Sequence, residues 1–310
     1  MGYIAITKKG PIEVDKVSEC IIILNSRKNY VFFELEISAE IESLSNNHSL
    51  SIYVPGKISA LQSGKKITNT LFFLEWYYSQ KNISRNKGNR LNINGKNTEI
   101  IFPDIESTYN SENNVTVITL SLEATLNDYD LVDSFHIYFT YETTQNISKT
   151  FGTLTVQSRY FDRKECPFGD FFENTVLKGD ISTPKKMYCW FISKPTFYLD
   201  DYSNFENSQP RDIRIIEPTY LKMLANINWF YRFITKSKCK LFGYPQVINW
   251  KFGVSDISFE QSYKRHNKWD EIRLFATFKG FELSSIFIIV ASLSSVFALL
   301  FYLIEKLWQS

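Results

Sequence analysis

Cysteine, histidine and glycine are scarce in this 310-residue chain, at 4, 3 and 12 residues. The four cysteines, Cys20, Cys166, Cys189 and Cys239, form no C-x-x-C pair. That excludes a disulfide scaffold, a zinc ribbon and a dithiol redox motif. His48, His136 and His266 lie far apart, so no metal-binding pair such as H-E-x-x-H exists, and no serine nucleophile elbow is present. Net charge is nearly absent too: 35 Lys+Arg against 33 Asp+Glu leaves +2. A chain so balanced is not a dedicated nucleic-acid binder. What is plentiful is core material, with 44% hydrophobic residues and 16% aromatics. This excludes disorder along the whole chain, and the length suggests about two ordinary domains.

The weaker motifs fail on inspection. Ser63-Gly64-Lys65-Lys66 lacks the first glycine of a phosphate loop and the hydroxyl after its lysine. Asp128, Asp130 and Asp133 cluster, but Val132 occupies a ligand place of the EF-hand pattern. A Cys239–His266 dyad has nothing in the sequence to favour it. No catalytic residue, metal or cofactor is therefore expected, and the chain does not read as an enzyme.

The mean hydropathy of −0.20 excludes a polytopic membrane protein, yet one apolar run stands out. Residues 283–304, LSSIFIIVASLSSVFALLFYLI, carry no charge. A hydrocarbon core about 30 Å thick needs about 20 helical residues. The run therefore predicts a single-pass transmembrane helix, with residues 305–310 as a short tail. Lys264, Arg265, Lys268, Arg273 and Lys279 precede it, and no apolar signal segment opens the chain. The positive-inside rule then puts the bulk of the chain in the cytoplasm, as in a tail-anchored protein. The acceptor patterns at Asn47, Asn82, Asn114 and Asn146 read as chance matches in that layout. Ser284, Ala291, Ser295 and Ala298 fall along one helical face, a candidate transmembrane association face, because small residues let backbones approach closely. The alternative is that serine and alanine line up there by chance.

The fold class expected for the remainder is mostly β, one or two antiparallel sandwich-like domains. Tyr30 to Ser38 sets Phe33, Leu35 and Ile37 against Glu34, Glu36 and Ser38. Ser134 to Tyr141 sets Phe135, Ile137 and Phe139 against His136, Tyr138 and Thr140. Such period-2 alternation marks half-buried strands. Val117 to Glu123 repeats the pattern, and Asn94-Gly95 between two apolar runs signals a hairpin. Further strands are expected at 20–24, 50–54, 70–78, 153–157, 187–193, 211–217, 247–252 and 271–279. The expected division is a β-sandwich-like domain over 1–158, a connector over 159–186, and a second β-rich subdomain over 187–280 with an amphipathic helix near 219–235.

The most unusual local composition lies over 218–255, which holds no Asp or Glu but carries Lys222, Arg232, Lys236, Lys238, Lys240 and Lys251. This basic cluster suits an anionic membrane surface or a phosphate-bearing ligand, and it equally suits a solvated loop after a core helix. The functional expectation is a non-enzymatic adaptor, sensor or scaffold whose β-rich region binds a protein or ligand. The alternative is a membrane-acting effector, for example of a defence or toxin system, whose helices oligomerise to perturb the bilayer. Expected partners are a lipid bilayer and a protein partner or homo-oligomer, without specific nucleic-acid binding.

Overall fold

The computed structural model describes residues 4–25, 28–39, 48–63, 83–85, 90–93, 95–122, 134–145, 147–150, 152–161, 180–182, 184–202, 212–215, 245–253 and 271–280, with helical residues at 233, 236, 237, 239, 240, 291, 293–302 and 304. The chain is mostly β, with largely antiparallel sheets.

Three sheets are present among the described residues. The central one runs β17 (Asp212–Ile215), β18 (Gln246–Gly253), β15 (Lys186–Ile192), β2 (Ile12–Asn25), β3 (Lys28–Ala39), β11 (Ser134–Thr143), β8 (Lys96–Ile100), β7 (Arg90–Ile93) and β6 (Ile83–Arg85), with β5 (Ile58–Ser63) paired to β11. A five-stranded sheet runs β14 (Asp180–Ile181), β1 (Ala5–Lys9), β4 (Ser49–Pro55), β10 (Val115–Ser121) and β9 (Asp104–Asn110). A four-stranded sheet runs β12 (Ile147–Thr150), β13 (Thr153–Phe161), β19 (Glu271–Gly280) and β16 (Phe197–Tyr202). Pairing is antiparallel except where β15 joins β2 and β8 joins β11.

Alternation explains these strands. Val31, Phe33, Leu35 and Ile37 of β3, and Phe135, Ile137 and Phe139 of β11, enter a single apolar core. Ile52, Ile118 and Leu120 enter it from the five-stranded sheet, and Val156, Leu274 and Phe278 from the four-stranded one. Phe33 stacks on Phe139 at 5.2 Å between centroids, and Phe191 meets Trp250 edge-on at 5.1 Å. Each such side chain contributes about 1.5–3 kcal/mol by leaving water. The hairpin between β7 and β8 turns at Gly95, whose φ of 82° suits a residue without Cβ. Its N–H donates to Asn92 Oδ1 at 2.9 Å.

The strands expected at 20–24, 50–54, 153–157, 187–193, 247–252 and 271–279 correspond to β2, β4, β13, β15, β18 and β19. That expected at 211–217 contains β17, and that at 70–78 lies outside the described residues.

The expected transmembrane helix is overturned, and with it the tail-anchored, single-pass, cytoplasm-facing layout. No helix among the described residues is long and apolar enough to cross a membrane. The described helical residues of the C-terminal region lie between 291 and 304, and residues 283–290 of the expected span fall outside the described residues. Without a span, the distribution of basic residues around it says nothing about sidedness.

Candidate functional site

The face of the central sheet turned away from the apolar core carries an ionic cluster. Three strands assemble it by register: Lys16 of β2 faces Glu36 of β3, and Glu36 faces His136 of β11. A β-bulge at Asp15 brings Lys16 onto this face two residues after Val14, which points into the core. One step along lie Ser18, Glu34 and Tyr138, again in register.

Lys16 Nζ reaches Glu34 Oε1 at 3.3 Å and Glu36 Oε2 at 3.2 Å. His136 Nδ1 lies 2.6 Å from Glu34 Oε1, and its Nε2 lies 3.8 Å from Glu36 Oε2. Glu34 is 1%, His136 2% and Lys16 4% exposed. Two carboxylates thus face one ammonium and one imidazole, with the Glu36 side chain 18% exposed at the rim. The cluster ties β2, β3 and β11 together. Ser18 and Thr140 share the same buried face.

A second buried carboxyl, Glu19, sits on the opposite face, within the core between Val17 and Ile21. Ser158 Oγ of β13 donates to Glu19 Oε2 at 2.5 Å, tying the four-stranded sheet to the central one. Cys189 Sγ lies 3.8 Å from the same oxygen. Burial, and then the charge of Glu19, push the Cys189 and Cys20 thiols and the Tyr141 phenol upward. These are inert thiols, since the thiolate is the reactive form.

The accessible counterpart is β9, at one end of the five-stranded sheet. Among the described residues it pairs with β10 alone, over seven residues without a register shift. Glu106, Ser107, Thr108 and Tyr109 are all exposed. Consecutive residues point to opposite faces of a sheet, so both faces are open to solvent over these four residues, while Ile105 packs against the core.

The residues singled out from sequence do not converge. Of the basic cluster, Lys236 and Lys240 are exposed on helical turns. Lys251 lies in β18, and Lys222, Arg232 and Lys238 fall outside the described residues. Of the small-residue face, Ala291, Ser295 and Ala298 are helical and exposed, while Ser284 lies outside the described residues. The ionic cluster was missed because Glu34, Glu36 and His136 read as a solvated polar face. The usable signal was three titratable residues at matching positions of two alternating strands.

No family model matches the chain, and no curated protein matches it. Solved structures do return matches. One of them, the Fcho1 Mu homology domain of Danio rerio with bound Eps15 peptide, is 10% identical over 87% of this chain and 80% of that one, with a TM-score of 0.19. A likeness at that score carries no argument about fold or ligand.

Proposed function

We propose that this chain is a non-enzymatic β-rich recognition module that binds an extended, basic segment of a protein partner along β9. The observation that carries the reading is the outer edge of β9, which pairs with no second strand among the described residues. Proteins usually blunt an edge strand by keeping it short or by placing charged residues, above all lysine, or proline or a bulge in it. β9 has seven residues (DIESTYN), with two acidic residues but no proline or lysine and a regular register against β10. An incoming strand would gain main-chain hydrogen bonds, and alternate side chains would set specificity. Asp104 and Glu106 project from one face of the strand beside Thr119 and Ser121 of β10, so lysine or arginine at alternate positions of the partner suits them. Together the three sheets supply a rigid platform, and Glu19–Ser158 and the Lys16 cluster hold it.

The test is selection of random peptides displayed against the purified chain, followed by fluorescence polarisation of the winners. Expected winners are extended, carry basic residues at every second position, and lose at least tenfold in affinity to Glu106→Lys. Proline at Ser107 or at Thr108, whichever N–H points away from β10, should abolish binding while leaving the far-UV spectrum unchanged. Peptides that bind all these variants equally well would refute the reading.

A further inference from the structure

One margin of the apolar core is only half covered, and it runs along β9. On the core-facing side of that strand stand Ile105, Ser107 and Tyr109, in register with Leu120, Ile118 and Thr116 of β10. The three β10 residues are buried, whereas Ile105 is half-buried and Ser107 and Tyr109 are exposed. Cover over this face therefore stops between β10 and β9. From the central sheet, β5 approaches β9. A bulge at Ala60, whose φ is 51°, breaks the period of β5 where its register against β11 shifts. Ile58 and Leu61 consequently both pack against the core. With Ile101 and Ile105 they are half-buried, at the rim of the core and not within it.

Ser107 is the small residue of the β9 row. Its neighbours two places away share its face and are large. One of them, Tyr109, is tethered by its hydroxyl, which donates to Asn114 Oδ1 at 2.9 Å. The other face of β9 has different chemistry: Asp104, Glu106 and Thr108 are exposed there, beside Ser121, Thr119 and Val117 of β10. Successive positions of one strand thus call for two different kinds of partner side chain.

Resting on the β9 proposal, we infer that the bound segment is amphipathic: basic residues face Asp104 and Glu106, and large apolar residues at the intervening positions close the rim at Ile105, Ser107 and Tyr109. Residues directly opposite in paired strands have Cβ atoms about 4.5–5.5 Å apart. An apolar side chain opposite Ser107 reaches past the short serine and lies between Ile105 and Tyr109. The half-covered apolar surface there leaves water, which favours association.

Fluorescence polarisation of three labelled heptapeptides with the purified full chain tests this. One alternates lysine with leucine, the second alternates lysine with serine, and the third holds the residues of the first in an order without alternation. The leucine peptide should bind at least tenfold more tightly than either of the others. Tyr109→Ser and Ile105→Thr alter the two flanks of Ser107. Each should shrink the preference for leucine over serine at least threefold and leave the affinity of the serine peptide unchanged. Tyr109 is exposed, so its variant serves should Ile105→Thr misfold. Glu106→Lys should weaken the leucine and serine peptides alike. Equal binding of those two peptides, both lost to Glu106→Lys, would overturn the amphipathic pattern and leave the β9 proposal standing. A leucine peptide that binds no better than its shuffled form, or that keeps its full preference in the Tyr109 variant, would do the same. Binding that ignores Glu106→Lys would sink both, and absence of binding sinks the amphipathic pattern.

Discussion

Replacing Lys16 by methionine keeps the length of the side chain and removes the only ammonium within 4 Å of Glu34 and Glu36 among the described ion pairs. At 3.3 Å and an effective dielectric of about 20, each contact is worth roughly 5 kcal/mol of gross attraction. Much of this is offset by the several kcal/mol that each ion loses on leaving water. The decisive quantity is what remains after the change: the buried Glu34 carboxylate, and the partly exposed Glu36 beside it, without the ammonium that bridged them. Breaking a buried pair by deleting one partner costs about 3–5 kcal/mol, a large share of the 5–15 kcal/mol that holds an ordinary domain together. Urea unfolding followed by tryptophan fluorescence reads this directly, since Trp250 is fully buried in the core. The midpoint should fall while the slope stays the same. Adding Glu34→Leu should recover most of the loss, to within about 2 kcal/mol of wild type, because replacing both charges by apolar groups is often close to neutral. A loss below about 1 kcal/mol for Lys16→Met alone would refute the reasoning, since a cost that small belongs to an exposed pair.

Three further outcomes are expected. Burial pushes the Cys239 thiol from 9.0 to about 11; the unfolded chain then ionises first, so the stability tied to this thiol is whole below pH 9 and drains away as pH rises toward 11. Urea titrations across that window should show the decline, and Cys239→Ala should make it shallower, the rest belonging to the other buried thiols and Tyr141. Gly280 abuts Phe197, and a Cβ there would overlap the Thr196 carbonyl and approach the Phe197 Cα to 2.8 Å. Gly280→Ala should thus cost about 1–3 kcal/mol by overpacking, visible as a lowered melting temperature and absent if β16 simply shifts. Lys185 bonds Glu13 and Asp15, both at 2.7 Å, in a setting open to solvent; its replacement by alanine should cost no more than about 1 kcal/mol and less still in high salt.

The strands were legible because alternation is local. Phe33, Leu35 and Ile37 identify one face of β3 from the sequence alone, and Gly95 marks the turn between β7 and β8. What alternation does not reveal is what covers the other face. Glu34, Glu36 and His136 occupy positions that look solvated when each strand is read separately, and only the register of β2, β3 and β11 gathers them into one enclosed cluster. The parallel pairing of β15 with β2 was illegible for a related reason: its partners are separated by more than 150 residues, and no short-range signal links them. The C-terminal reading failed differently. Apolar composition over 283–304 met the length of a bilayer, whereas the described helical residues are confined to 291–304. The β9 edge had no signal in the sequence, because an edge is defined by pairing, and among the described residues β9 pairs with β10 alone.

β2 pairs with β3 on one side and with β15 on the other, so an interior strand of the central sheet is completed by a segment made much later. During synthesis at about 5–20 residues per second, Lys186 emerges roughly 8–32 s after Asn25. Throughout that interval the hairpin of β2 and β3 has one row of backbone donors and acceptors unsatisfied, on a strand that includes the run Cys20-Ile21-Ile22-Ile23. The nascent chain therefore passes through a long period in which its most aggregation-prone edge is open, and its yield in a cell should depend on translation speed and on chaperones that shield that edge.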